Sequence, residues 1–260
     1  MPPARIVFWT ATIAGIGCTA RAILAEPPPL PVAAACAVAY VALLLCGVFV
    51  LRLQMFADAL VHGPSDATGV ALTFDDGPDP VHTREVLDVL DKHGAKATFF
   101  VIGHKAEAHR DIVEEIVRRG HDVGVHGFAH DRFFSLRGGK RVREDLERAI
   151  RVLENITGKT PSLFRPPIGH TNPTIARVAD LLDLTMIGWS VRARDGIGRT
   201  KAQDVVSRID RGLEDGAIVL LHDAAEHGDR KPAGVTALPA ILEKIAAKNL
   251  RVTPLSTWVG

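Results

Sequence analysis

Cysteine is almost missing from this 260-residue chain. The three present, Cys18, Cys36 and Cys46, all precede residue 52. The remainder therefore has no disulfide framework and no thiolate metal site. A net excess of either charge is also missing: 31 Lys plus Arg face 30 Asp plus Glu, for a formal charge of +1. That balance gives no basic footprint for nucleic acid. With 47% hydrophobic and 23% charged residues, the composition excludes a disordered tail and a collagen-like fibre.

Charge is unevenly distributed as well. Residues 1–52 hold only Arg5, Arg21, Glu26 and Arg52, and the other 57 charges lie in the remaining 208 residues. From Val32 to Leu51 no residue is charged. As a helix this run is roughly 30 Å long, the thickness of a bilayer core. A buried core helix is the alternative, but the run is long and has no periodic polar face. A second apolar stretch starts at Ile6 and reaches Ala25 if Arg21 snorkels. A cleavable signal peptide competes with a span there, although Ile23 and Ala25 make a poor small-x-small cleavage site. The expectation is two transmembrane helices, about 6–25 and 32–51, joined by the stiff Glu26–Pro31 link and contacting lipid in a bacterial inner membrane. Two spans put the N-terminus and the main domain on one side. Arg5 and Arg21 pull the positive-inside rule in opposite directions and leave that side open.

Residues 53–68 read as a linker, with Gly, Pro, Ser and Asp at 63–66. From 69 to 260, short apolar runs alternate with amphipathic segments. Strands are expected at 69–74, 97–102, 121–126, 162–165, 184–190, 216–221 and 250–253. Helices are expected at 82–93, 106–119, 140–157, 172–183, 201–213 and 235–248. This alternation predicts an α/β domain with a parallel sheet, either a small barrel or a doubly wound sheet.

Polar residues gather at the C-terminal ends of these strands, where a barrel builds its site. The first strand ends in Thr73-Phe74-Asp75-Asp76-Gly77-Pro78. Adjacent carboxylates there need a shared cation or proton; the plain alternative is an Asp-Gly-Pro turn. The third ends in His126-Gly127-Phe128-Ala129-His130. Two imidazoles four apart suit a divalent transition metal, and with Asp76 they make a two-histidine, one-carboxylate set. On their own they are a pair of solvated histidines. The fourth runs into Arg165-Pro166-Pro167-Ile168-Gly169. Its Arg can grip a carboxylate bidentately or lie on the surface. The sixth ends in Leu220-Leu221-His222-Asp223, where His222 is a general acid or a capping histidine.

Together these segments closely resemble the polysaccharide deacetylase family, also called the NodB-homology or carbohydrate esterase 4 family, over roughly residues 69–223. The resemblance implies a deformed, seven-stranded, TIM-like (β/α) barrel. It implies Asp75 as catalytic base and Asp76, His126 and His130 as metal ligands. Arg165 would orient Asp75, the Ile168 N–H beside Pro167 would face an oxyanion, and His222 would be an acid held by Asp195. The implied cofactor is a divalent metal: Zn2+, with Co2+, Ni2+ or Mn2+ as alternatives. The implied reaction removes an N-acetyl group from an amino sugar of an envelope glycan. A lipid-linked amino sugar as substrate and an inactive glycan-binding module are the competing readings. Four positions depart from the family pattern: Gly127 for a hydroxyl residue, Ile168 for an aromatic, Arg192 for an aspartate and Gly196 for a tryptophan. They bear on substrate range more than on catalysis.

Overall fold

The computed structural model describes residues 1–259. It opens with α1 (Pro3–Leu24) and α2 (Leu30–Phe49), each with proline in its first turn, where a missing N–H costs least. Thr12 and Tyr40 hydroxyls join the two at 2.8 Å. Helix α1 buries no residue and α2 buries only Gly47, so Ile6, Trp9, Ile13, Val38 and Val41 stand exposed. A core helix of a soluble protein would bury such side chains. Both helices have the length and composition of membrane spans, as does a signal sequence near an N-terminus.

The rest of the chain supplies strands β1 (Ala59–Leu60), β2 (Ala71–Asp75), β3 (Thr98–Val101), β4 (Asp122–Val125), β5 (Leu163–Phe164), β6 (Thr185–Ile187), β7 (Val191–Arg192) and β8 (Ile218–His222). All pair in parallel, in the order β1-β6-β5-β4-β3-β2-β8-β7. Between them run α3 (His82–Lys92), α4 (Gly103–Ala108), α5 (Arg110–Arg118), α6 (Gly139–Thr157), α7 (Pro173–Leu181) and α8 (Ala202–Asp210), and α9 (Ala233–Ala247) follows β8. The sheet curls around a small interior of Ala71, Phe100, Leu163, Ile187, Ile218 and Leu255. A larger apolar layer lies outside it, under the helices. Strand β2 is buried along its whole length, as a strand covered on both faces must be. Helix α6 turns Val142, Leu146, Ala149 and Leu153 inward at helical spacing. It stops at Gly158, whose φ of +69° is the left-handed cap position.

The deformed α/β barrel is present, with eight strands rather than seven. The extra strand, β1, lies in the segment read as a linker. Met55, Ala57 and Ala59 there are buried, and β1 extends the sheet edge beside β6. The expected strand at 184–190 divides at Gly188, whose N–H donates to Leu60 O at 2.8 Å and whose carbonyl accepts from Arg165. The pairing thereby passes from β6 to β7. The expected strand at 250–253 contributes one bridge, Val70 to Val252. The turn after it closes the barrel floor, with Leu255 N–H on Thr98 Oγ1 at 3.1 Å and Ser256 N–H on Asp122 Oδ2 at 2.9 Å. The helix expected at 106–119 breaks at His109 into α4 and α5.

The N-terminal hairpin is packed onto this barrel. Arg5 pairs with Asp58 at 2.9 Å and donates to Gln54 O. Phe8 meets Phe56 edge-on at 5.4 Å. Thr171 N–H donates to Val48 O at 3.1 Å, and Phe49 meets His170 edge-on at 4.7 Å.

Candidate active site

Parallel register builds the centre. Asp75 at the end of β2 pairs with His222 at the end of β8, so both side chains leave the sheet at one level. Thr73 and Asp75, two apart on one strand, face the same side, where they meet Arg165. That Arg is wholly buried. Its Nη1 donates to Asp75 Oδ1 at 2.7 Å and to Thr73 Oγ1 at 2.8 Å. Nη2 donates to Gly188 O at 2.9 Å, and Nε to Ile187 O at 3.3 Å. The guanidinium lies 4.2 Å from the centre of the Phe100 ring. The grip on Asp75 is through one nitrogen rather than the expected two. The other donors satisfy the strand carbonyls where β6 ends, so Arg165 fixes both the carboxylate and the turn. Burial pulls the guanidinium down from its ordinary pKa, and the Asp75 charge opposes this.

Beside Asp75 lies the metal set. Asp76, His126 and His130 are buried and offer ligand atoms within 4.8 Å of one another. Asp76 Oδ1 is 3.2 Å from His130 Nε2 and 3.6 Å from His126 Nε2. Two ligands about 2.0–2.1 Å from a tetrahedral zinc lie roughly 3.3 Å apart, so the set fits a divalent ion. Protonation agrees with this fit. His126 Nδ1 donates to Arg165 O at 2.7 Å, leaving Nε2 as the free lone pair. Burial pushes the His130 imidazole down and keeps it neutral, the state a metal needs. Burial also raises Asp76, so a cation would relieve an unfavourable buried carboxylate. Asp76 and His130 both hold positive φ, 73° and 50°. This is uncommon backbone for residues other than glycine and is found at functional turns.

Across the cavity, His222 Nδ1 lies 2.9 Å from Asp195 Oδ1, and its backbone N–H donates to Asp195 Oδ2 at 2.8 Å. Burial would lower the His222 pKa, but Asp195, with smaller help from Asp76 and Asp75, pushes it up to about 9. Ile168, at φ +61°, turns its N–H away from any protein acceptor among the described residues. Pro167 fixes the preceding backbone. The cavity holds about 120 Å3 and is lined by Asp75, Asp76, His126, His130, Ile168, Gly169, Trp189, Arg192, Leu220, His222 and Glu226. Arg165 and Asp195 stand behind it, each on a residue that faces it.

Four contributors escaped sequence reading. Lys105 on α4 donates to Asp76 O and Ala225 O, both at 2.8 Å, tying the metal loop to the loop after β8. Glu226 sits 3.5 Å from His130 Nδ1 and is gripped by Arg132 through two bonds of 2.6 Å. Trp189 forms one wall. Asp145 accepts from Phe128 N–H at 2.7 Å and Ala129 N–H at 3.1 Å. It thereby shapes the loop that Gly127 enters at φ +78°. A Cβ at 127 would lie 3.1 Å from Asp145 Oδ2, so the missing hydroxyl residue is matched by a loop built on glycine.

A buried carboxylate on one side of a metal set and a buried imidazole on the other activate water and protonate a leaving group, which is the equipment of a metal-dependent hydrolase. The polysaccharide deacetylase family profile matches residues 62–187. A peptidoglycan-N-acetylglucosamine deacetylase of Bacillus cereus is 31% identical over 195 residues, 74% of this chain and 89% of that protein. A chitooligosaccharide deacetylase of Bradyrhizobium sp. is 30% identical over 213 residues, 78% of this chain and 96% of that one. Among solved structures, the Bc1960 peptidoglycan N-acetylglucosamine deacetylase superposes with a TM-score of 0.72 at 29% identity, covering 76% of this chain and 91% of that one. The chain belongs to the polysaccharide deacetylase family.

Proposed function

We propose that this protein hydrolyses the N-acetyl amide of an amino sugar in an envelope glycan, releasing acetate and a free amine. One observation carries the reading: the Asp75–Arg165 and Asp195–His222 pairs flank one metal set within a single cavity. Asp76, His126 and His130 would hold Zn2+, which suits two imidazoles and a carboxylate with open positions; Co2+, Ni2+ and Mn2+ are the alternatives. The ion supplies Lewis acidity that makes water acidic and polarises the acyl carbonyl.

The protein's own groups carry the proton transfers. Asp75, held in place by Arg165, takes a proton from the attacking water. The free Ile168 N–H, held by Pro167, donates to the developing oxyanion. His222, kept cationic by Asp195, protonates the departing nitrogen so that the C–N bond breaks to an amine. The relatives' substrates, peptidoglycan N-acetylglucosamine and chitooligosaccharides, support an N-acetylated amino sugar as the target. The intact set of charged residues argues against an inactive binding module. We further propose that residues 1–52 form a two-helix membrane anchor and 69–260 the catalytic domain, with 53–68 packed against its edge.

The test is acetate release from an N-acetylated chitooligosaccharide. Activity should vanish with EDTA and return with Zn2+. Asp75→Ala and His222→Ala should each cut kcat by about 10²–10⁴-fold while bound zinc stays near one per chain. Turnover retained by the Asp75 variant would remove that residue from the role of base.

A further inference from the structure

The end of α2 packs on the turn that leads out of the catalytic cavity. Val48 and Phe49, in its last turn, contact Thr171 and His170, which directly follow the cavity residues Ile168 and Gly169. The next residue, Asn172, donates through Nδ2 to Ser135 O at 2.5 Å. This ties the turn carrying Phe133 and Leu136 to the same rim. Phe133 is 62% exposed, Leu136 77%, Ile168 40% and Ile197 57%, all on loops at the C-terminal ends of strands. Apolar side chains thus stand out around the cavity where an apolar helix ends.

Inside that rim stands an unpaired cation. Arg192 lines the cavity and is exposed, with its guanidinium 5.8 Å from the centre of the Trp189 ring. Among the described residues it meets no carboxylate within 4 Å and makes no side-chain hydrogen bond. Its charge reaches His170, which burial first and Arg192 second push down. Such a cation suits an anion on the substrate, and a phosphate carried by the sugar offers oxygens that match a guanidinium fork.

Resting on the deacetylase reading and on α2 as a membrane span, we infer that the substrate is an N-acetylated amino sugar linked through phosphate to a membrane lipid, with Arg192 on the phosphate and the rim around Phe133 and Leu136 against the bilayer. The hydrolysed bond is the same amide; the phosphate is bound and not transferred.

The full chain, reconstituted with Zn2+ in phosphatidylethanolamine–phosphatidylglycerol vesicles, is offered three substrates in competition at equal total concentration. These are N-acetylglucosaminyl polyprenyl phosphate in the vesicles, a soluble short-chain phosphate ester of the same sugar, and neutral chitotetraose. The lipid-linked substrate should be consumed fastest, by about tenfold or more over the neutral one. Arg192→Ala should shrink the advantage of both phosphate esters over chitotetraose, and Arg192→Lys should restore part of it. Phe133→Ser with Leu136→Ser should shrink the advantage of the lipid over the short-chain ester. Equal consumption of chitotetraose would overturn the inference and leave the deacetylase reading standing. Equal consumption of the short-chain ester would overturn the lipid source. No turnover of any of the three, with zinc bound, would overturn both readings.

Discussion

In the proposed reaction His222 must carry a proton to act as an acid, so its pKa would set the alkaline limit of turnover. Asp195 is the chief group raising that pKa, to about 9. As pH rises through this value the acid is lost and kcat falls. A dication on Asp76 cancels part of the help from that carboxylate, so the limb of the loaded enzyme lies lower. Asp195→Asn should move the limb down by about one unit or more, read from kcat against pH at saturating metal. An unmoved limb would show that another group delivers the proton. Arg165 makes a second prediction at this scale. Arg165→Met leaves Asp75 buried without its cation and should cost about 3–5 kcal/mol in a urea melt. Combining it with Asp75→Asn should recover part of the loss. The residues proposed for the chemistry could be singled out because each ends an apolar run: Asp75, His126, Arg165 and His222 all interrupt a strand pattern where a barrel opens. Lys105 and Glu226 could not. Lys105 is one charge among many on a helix, and Glu226 sits in a loop without periodicity. Only the packing of distant segments brings them to the metal loop.

Among the elements, the turn after β5 is the most constrained. Gly169 lies at φ +76°, and a Cβ there would come within 2.2 Å of Trp189 Cη2. Glycine is needed for the backbone conformation and for the contact with the ring. Gly169→Ala should displace the Ile168 N–H or the Trp189 wall and lower kcat by about 10–100-fold. Zinc binding, measured by isothermal titration, should stay near wild type, because the ligand His126 meets this turn at Arg165 O, ahead of both prolines and of Gly169. The sequence marked the turn through Pro166-Pro167 but gave no sign of Trp189 against it, since that contact spans two strands. The 53–68 segment was misread for a related reason. Its Gly, Pro, Ser and Asp residues are turn formers. They serve here to return the chain from β1 at the sheet edge to β2 at its centre, with Gly63 N–H on Gly216 O at 2.8 Å. A two-residue strand has no periodicity to read.

For the whole molecule, the charge contrast at residue 52 falls between the apolar helices α1 and α2 and the strands of the barrel. The contacts joining them were invisible, because Arg5 reads as a topology signal and is in fact paired to Asp58. Both the first turn of α1 and the last of α2 lie against the barrel. A reporter fused to either terminus should therefore report the same side of the membrane. Active alkaline phosphatase at one end and inactive at the other would refute a two-span hairpin. Carbonate washing should leave the protein in the membrane pellet.

The packing of the hairpin has a kinetic consequence. A hydrolase on a long flexible tether sweeps a hemisphere and samples polymer at a range of heights. Here the chain passes from Phe49 to buried Leu51 and on to β1, so the proposed two-helix anchor would hold the catalytic opening at one height above the membrane. With the lipid-linked substrate inferred above, encounters would occur in two dimensions. The rate should follow the number of substrate molecules per unit area of membrane, and dilution of the vesicles at constant surface density should leave it unchanged.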